Sequence, residues 1–154
     1  MRANRETNSV AAVAALPHVD EHTREVAAGP GETWEALLAL ERSFATGATP
    51  TIARLLGCED ATGFHVASAE PERELLLVGR HRFARYALIF RIEQLAPGRC
   101  RVRAETRAEF PGAKGRAYRA LVIGSRGHVL ATRRLLAGVG GRAERTAAAS
   151  GRGG

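Results

Sequence analysis

The segment Arg101-Val-Arg-Ala-Glu-Thr-Arg-Ala-Glu-Phe110 decides the fold class, because its side chains alternate without interruption. One set is small, apolar or uncharged: Val102, Ala104, Thr106, Ala108 and Phe110. The other set is charged: Arg101, Arg103, Glu105, Arg107 and Glu109. A strand of this kind has one buried face and one face in water, which is typical of an antiparallel sheet.

Other strand patterns surround this segment. Residues 64–69, 74–78 and 82–93 read as strands, and in the last of these Tyr86, Leu88, Phe90 and Ile92 share a face. The turn at 96–99 contains Pro and Gly and joins that strand to the segment above. With a first strand at 19–27, the sequence predicts a meander of five to six strands.

Helical periodicity occurs at both ends of the chain. Residues 32–41 and 51–56 predict two short helices, and 112–137 predict one long C-terminal helix of about 38 Å. Because the sheet has one apolar face, and this helix is the only large element available to cover it, we expect an α+β fold in which a curved antiparallel sheet grips the C-terminal helix.

The folded domain is expected to span residues 17–138. Residues 1–16 hold a short alanine-rich run between polar residues, which favours a flexible N-terminal extension over a signal peptide. Residues 139–154 are rich in Gly, Ala and Ser and have no periodic apolar face, so we expect a disordered tail.

Composition argues against several classes of protein. There is no apolar run long enough to span a membrane, and Cys58 and Cys100 stand alone, which indicates reduced thiols in a cytoplasmic protein. The histidines lack metal-ligand spacing and no nucleotide-binding loop is present, so we expect neither metal nor cofactor. The net charge is +7, but Lys114 is the only lysine, and this arginine bias fits a GC-rich coding sequence as well as any function. Residues 17–140 carry only +4, so we do not expect nucleic acid as a partner. A homodimer is left open.

The order of elements and two segments resemble a known superfamily. GPGETWEALLAL (29–40) and EFPGAKGRAYRALVIGSRGHVLATRRLL (109–136) resemble the START-like, or SRPBCC, proteins, which include polyketide cyclase/dehydrase-like members with the helix-grip fold. The Gly-Arg-x-Tyr at 115–118 and His128 ahead of Arg-Arg-x-Leu at 133–136 are similar to small bacterial members of unassigned function. The resemblance covers about residues 17–138 and implies a pocket between sheet and C-terminal helix for a small apolar or amphipathic molecule.

Candidate pocket residues lie on the predicted helix and on two strands. Ser125, His128 and Thr132 are spaced to share the sheet-facing side, in the same row as Tyr118, and Gly124 and Gly127 remove bulk beside them. They either line a cavity or serve helix packing, with His128 a hydrogen-bonded core histidine. On the strands, Arg82, Tyr86 and Thr106 have inward parity. Arg82 faces the pocket mouth unless a bulge near Phe83 returns it to solvent.

Three functions stay open. The first is a small-molecule-binding protein with a pocket between sheet and helix. The second is a cyclase, dehydratase or hydrolase in which His128 is the general acid or base and Tyr118 or Arg82 polarises a carbonyl. The third is an interaction protein that presents Arg119, Arg126, Arg133 and Arg134 to an acidic surface.

Overall fold

The computed structural model describes residues 11–45, 64–81, 84–122, 124 and 126–151. The helix predicted at 51–56 lies outside these residues. The described strands are β1 (His18–Val26), β2 (His65–Glu70), β3 (Glu74–His81), β4 (Ala84–Ala96) and β5 (Arg99–Glu109). The helices are α1 (Pro30–Ala45), α2 (Gly112–Val122) and α3 (Gly127–Ser150).

The strands form one five-stranded antiparallel sheet in the order β1-β5-β4-β3-β2. Helix α3 packs against α1 and against the edge strand β1. This arrangement confirms the α+β helix-grip fold class, with a curved sheet and a long C-terminal helix.

The inner face of the sheet, toward α1 and α3, forms the main core. Phe90 and Val102 are fully buried there. Tyr86 and Leu88 are buried on the same face of β4 as Phe90, as the alternation predicted. From β3, Leu75 and Leu77 pair with Phe90 and Leu88 and complete the same layer. Period-two alternation therefore identified the buried face of the two central strands.

The long helix predicted at 112–137 is interrupted. Helix α2 ends at Val122, and α3 begins after Arg126, whose φ of 56° is left-handed. Gly124 donates its N–H to the carbonyl of Ala120, and a Cβ on Gly124 would lie 2.2 Å from that oxygen. Glycine is required at this position because any side chain would clash with the preceding turn. The polar, glycine-containing centre of the segment is a break between two helices.

The chain ends also differ from the predicted boundaries. Residues 11–16, assigned above to the flexible extension, form a helical turn that buries Val13 and Leu16 against Leu76 and Ile89 on the outer face of the sheet. At the other end, α3 continues to Ser150 instead of stopping near residue 138, and Val139, Gly140 and Ala143 are buried in that continuation. Both segments are ordered because each has apolar contacts with the domain.

The outer face of the sheet is not exposed to solvent along its whole length. Glu105 was expected to point into solvent, yet its residue is only 6% exposed. Arg91 and Arg107 donate hydrogen bonds to its carboxylate, and Arg107 also donates to the carbonyls of Ala14 and Leu16. The N-terminal turn and an ion-pair network therefore cover this part of the sheet together.

Candidate functional site

A β-bulge positions the first residue of the candidate site. His18 pairs with Arg107, but Asp20 pairs with Thr106, so β1 contains one extra residue, Val19. The bulge changes the strand parity: His18 contacts Glu105 on the outer face, whereas Asp20 follows the inward parity that leads to Val26. Without the bulge, His18 and Asp20 would point to the same face.

Asp20 binds two histidines through one oxygen. Its Oδ2 lies 2.8 Å from Nε2 of His22 and 2.8 Å from Nε2 of His128. A carboxylate only accepts hydrogen bonds, so both Nε2 atoms carry the proton and donate. His22 belongs to the same strand as Asp20, whereas His128 comes from the first turn of α3. The interaction therefore ties the C-terminal helix to the edge strand of the sheet.

Three buried polar atoms at this place have no hydrogen-bond partner among the described residues: Oδ1 of Asp20, Oγ1 of Thr106 and Nδ1 of His128. The side chain of His128 is only 6% exposed. Thr106 is the register partner of Asp20, and such pairs have Cβ atoms about 5 Å apart. Buried polar groups in proteins are nearly always paired, so these three atoms have hydrogen-bonding capacity that the described residues do not use. We call Asp20, His22, Thr106 and His128 the Asp20 cluster.

The structure brings together some of the residues predicted to line the pocket. Thr106 and His128 belong to the Asp20 cluster, and Thr132 is buried one turn further along α3. Thr132 donates its hydroxyl hydrogen to the carbonyl of His128 within the helix. That bond is typical of threonine in helices and gives Thr132 a structural role.

Tyr86 lies on the inner face, as predicted, and is 9% exposed. Its ring contacts Phe64 edge-on at a centroid distance of 4.9 Å, and Phe64 in turn contacts Phe44 at 5.2 Å. Arg82 and Ser125 lie outside the described residues, and for Tyr118 only the backbone, in α2, is described. The roles assigned to these three stay predictions.

The sequence analysis missed Asp20 and His22. The signal was present as Asp-x-His, two polar residues two positions apart in a strand that ends in an apolar pair, Val26 and Ala27. Counted back from Val26, both residues have inward parity. The bulge at Val19 obscured the pattern, because it breaks the alternation at the start of β1.

A separate groove of about 330 Å³ is lined mainly by charged side chains from β3, β4 and β5. Among these, Arg91 pairs with Glu74, Arg101 with Glu93 and Arg103 with Glu21. None of the lining residues belongs to the Asp20 cluster. Because three of its four arginines are paired with carboxylates, this groove offers less unsatisfied hydrogen-bonding capacity than the Asp20 cluster does.

Comparison with known proteins yields structural neighbours only. No protein-family model matches the sequence, and no curated protein matches it either. The Zhui aromatase/cyclase from Streptomyces sp. R1128 is 18% identical, with a TM-score of 0.49 over 84% of this chain and 94% of that chain. A conserved protein from Geobacillus kaustophilus is 12% identical, with a TM-score of 0.47 over 84% of this chain and 95% of that chain.

Neither a metal site nor a membrane span is found among the described residues. In the described parts of the chain, no three His, Cys, Asp or Glu side chains are arranged to hold a metal ion. His22 and His128 each hydrogen-bond to Asp20. No helix within the described ranges is long and apolar enough to cross a bilayer.

Proposed function

We propose that the protein binds a small amphipathic molecule between the inner face of its sheet and the C-terminal helices, with the Asp20 cluster as the polar contact. One observation carries the proposal: the three unpaired buried atoms of Asp20, Thr106 and His128 come from three different elements and meet in one place. A fold that only needed packing would replace them with hydrocarbon, because each unpaired polar group costs about 1–3 kcal/mol.

The surroundings favour a ligand that is mostly apolar. Ala104 and Leu88 flank Thr106 on the inner face, and Tyr86 and Ala108 form a small apolar cluster further along the same strands. Pockets for small molecules combine such walls with a few precisely placed polar groups.

Thermal unfolding in the presence of a library of amphipathic compounds tests the proposal. A compound present at a hundred times its Kd, and binding only the native state, stabilises the protein by about 2.7 kcal/mol. Its binding should also shift the backbone NMR signals of Asp20, Thr106 and His128. Signals of Glu25 and Arg99, at the far end of β1 and β5, serve as the internal control. The proposal fails if no compound stabilises the protein, or if every stabilising compound shifts only outer-face signals.

A second candidate function is supported by the hydrogen bond between Asp20 and His128. With its proton held on Nε2 by Asp20, a neutral His128 presents Nδ1 as a base toward the same space. It would remove a proton from the α-carbon of a bound ketone, leaving an enolate, and later return a proton to that carbon.

Exchange of the α-protons of tetralone in D₂O tests this role. We expect the protein to accelerate exchange, and the variant His128→Ala to lose that acceleration. The matched control is His65→Ala, because His65 is exposed on β2. Equal exchange rates with wild-type protein, with His128→Ala and with no protein would eliminate the catalytic role.

A further inference from the structure

We infer that the Asp20 cluster selects a ligand with a neutral hydroxyl group, such as a phenol or an alcohol, and rejects a carboxylate. The inference rests on the proposed function, since it names the chemical class that the same site accepts. It follows from the hydrogen-bonding capacities of three atoms: Oδ1 of Asp20, Nδ1 of His128 and Oγ1 of Thr106.

Two of these atoms require a donor from the ligand. Oδ1 of Asp20 is a carboxylate oxygen and only accepts. Nδ1 of a neutral His128 also accepts, because the proton of this ring is on Nε2, which donates to Asp20. A ligand that supplies only acceptors would leave both atoms unpaired in a buried place, and this is the mechanism by which polar sites reject analogues that lack a hydroxyl group.

The third atom accepts or donates. The hydroxyl of Thr106 has one hydrogen and two lone pairs, and it lies beside Asp20 across the β1–β5 pairing. A ligand hydroxyl can donate to Asp20 or His128 and at the same time accept from Thr106. An ammonium group can only donate, so it would leave the hydrogen of Thr106 unpaired. A neutral group that both donates and accepts, of which a hydroxyl is the smallest, therefore pairs with both kinds of atom.

Charge excludes an acidic head group at this position. The carboxylate of Asp20 is the acidic group of the cluster. On this face of β1 the next cation is Arg24, four residues further and so about 13 Å along the strand. Its guanidinium lies against α3, since a Cβ on Gly140 would come within 2.6 Å of Nε of Arg24. A bound carboxylate would bring acceptor oxygens against Oδ1 of Asp20, which cannot donate to them.

Three matched probes test the inference: naphthol, naphthalene and naphthoate, titrated separately at neutral pH. They share one ring system and differ in the polar group. We expect naphthol to bind at least about tenfold more tightly than naphthalene, the value of one net hydrogen bond, and naphthoate to bind more weakly than naphthalene. Calorimetry measures the affinities, and NMR shifts of Thr106 and His128 locate the binding.

The variant Thr106→Val removes one hydroxyl and keeps the side-chain shape. We expect it to weaken naphthol binding severalfold and to leave naphthalene binding unchanged. Thr23→Val is the matched control, because Thr23 is an exposed residue of the same sheet on its outer face.

The outcomes separate the inference from the proposed function. If all three probes bind at the Asp20 cluster with equal affinity, or naphthoate binds best, the hydroxyl preference is wrong and small-molecule binding stands. Naphthol affinity that is the same in wild type and Thr106→Val likewise overturns the preference. If none of the probes binds, and the amphipathic library gives no stabilisation, both fail.

Discussion

The hydroxyl oxygen of Thr106, on the inner face of β5, is buried and has no partner among the described residues, so it costs the free protein stability. We predict that Thr106→Val raises the free energy of unfolding by about 1 kcal/mol, because the substitution removes an unsatisfied hydroxyl from a buried place. A stabilising substitution is the trade-off expected if Thr106 belongs to a binding site, as proposed above.

Urea unfolding of the ligand-free protein measures this change. Thr23→Val, on the exposed outer face, is expected to change the free energy of unfolding by less than about 0.5 kcal/mol. If Thr106→Val instead lowers the free energy of unfolding, its hydroxyl is satisfied within the protein, and the Asp20 cluster loses one of its three available atoms.

Glu105 makes stability depend on pH. Burial alone would raise the pKa of Glu105, but hydrogen bonds from Arg91, Arg107 and His18 outweigh it and hold the pKa at about 2. Its folded pKa is below the unfolded value of 4.5, so the stabilisation is complete above pH 4.5 and is lost as pH falls toward 2. The shift corresponds to about 3 kcal/mol at neutral pH.

We predict that Glu105→Gln lowers the free energy of unfolding by about 3 kcal/mol at pH 7 and flattens its dependence on pH between 4.5 and 2. Urea unfolding across this range measures both effects. Glu25→Gln is the control: Arg99 and Arg101 lower the pKa of Glu25, but its carboxylate is exposed to solvent and screened. Parallel pH profiles for wild type and Glu105→Gln would contradict the prediction.

At the scale of elements, the strands were predicted well where apolar and polar side chains alternate regularly. Helix boundaries were predicted poorly where the residues are small. The alternation of β5 and the inward set of β4 are correct, because each is a run of side chains with opposite environments. The continuation of α3 was missed, because Gly138, Gly140 and Gly141 carry no hydrophobic signal. In the structure Gly140 and Ala143 are buried because small residues let the helix approach its neighbours closely. The break near Gly124 was missed because apolar spacing continues on both sides of it.

The end of α3 gives a direct test of its packing. Ala143 is fully buried, whereas Ala149 is exposed on the same helix. We predict that Ala143→Asp lowers the free energy of unfolding by about 3 kcal/mol or more, because it buries a charge without a partner. The same substitution at Ala149 should change it by less than about 0.5 kcal/mol. Urea unfolding compares the two, and equal, small effects would mean that this part of α3 does not pack on the domain.

At the scale of the whole molecule, positive charge is concentrated in the C-terminal helices. The 45 residues from Phe110 onward contain nine Arg or Lys and one Glu and carry +8, whereas the preceding 109 residues carry −1. Several arginines of the sheet form ion pairs, among them Arg85 with Glu109, Arg91 with Glu105 and Arg99 with Glu25. In contrast, Arg126, Arg133 and Arg134 are exposed and make no ion pair with any described residue.

This distribution keeps the third hypothesis, a basic interaction surface, open to a simple test. We predict that the protein retards a duplex oligonucleotide at low salt and releases it near about 0.15 M salt, because a few exposed arginines give weak binding that falls steeply with ionic strength. The double variant Arg133→Gln, Arg134→Gln should reduce the slope of log K against log salt by about 2, since each lost phosphate contact contributes about 1. The same change at Arg101 and Arg103, which pair with glutamates on the sheet, should leave the slope unchanged.

Tight binding that persists above about 0.15 M salt would make a polyanion a true partner and contradict the expectation that nucleic acid is not one. Weak binding that follows the predicted slope would be the non-specific phosphate contact expected of a few exposed arginines.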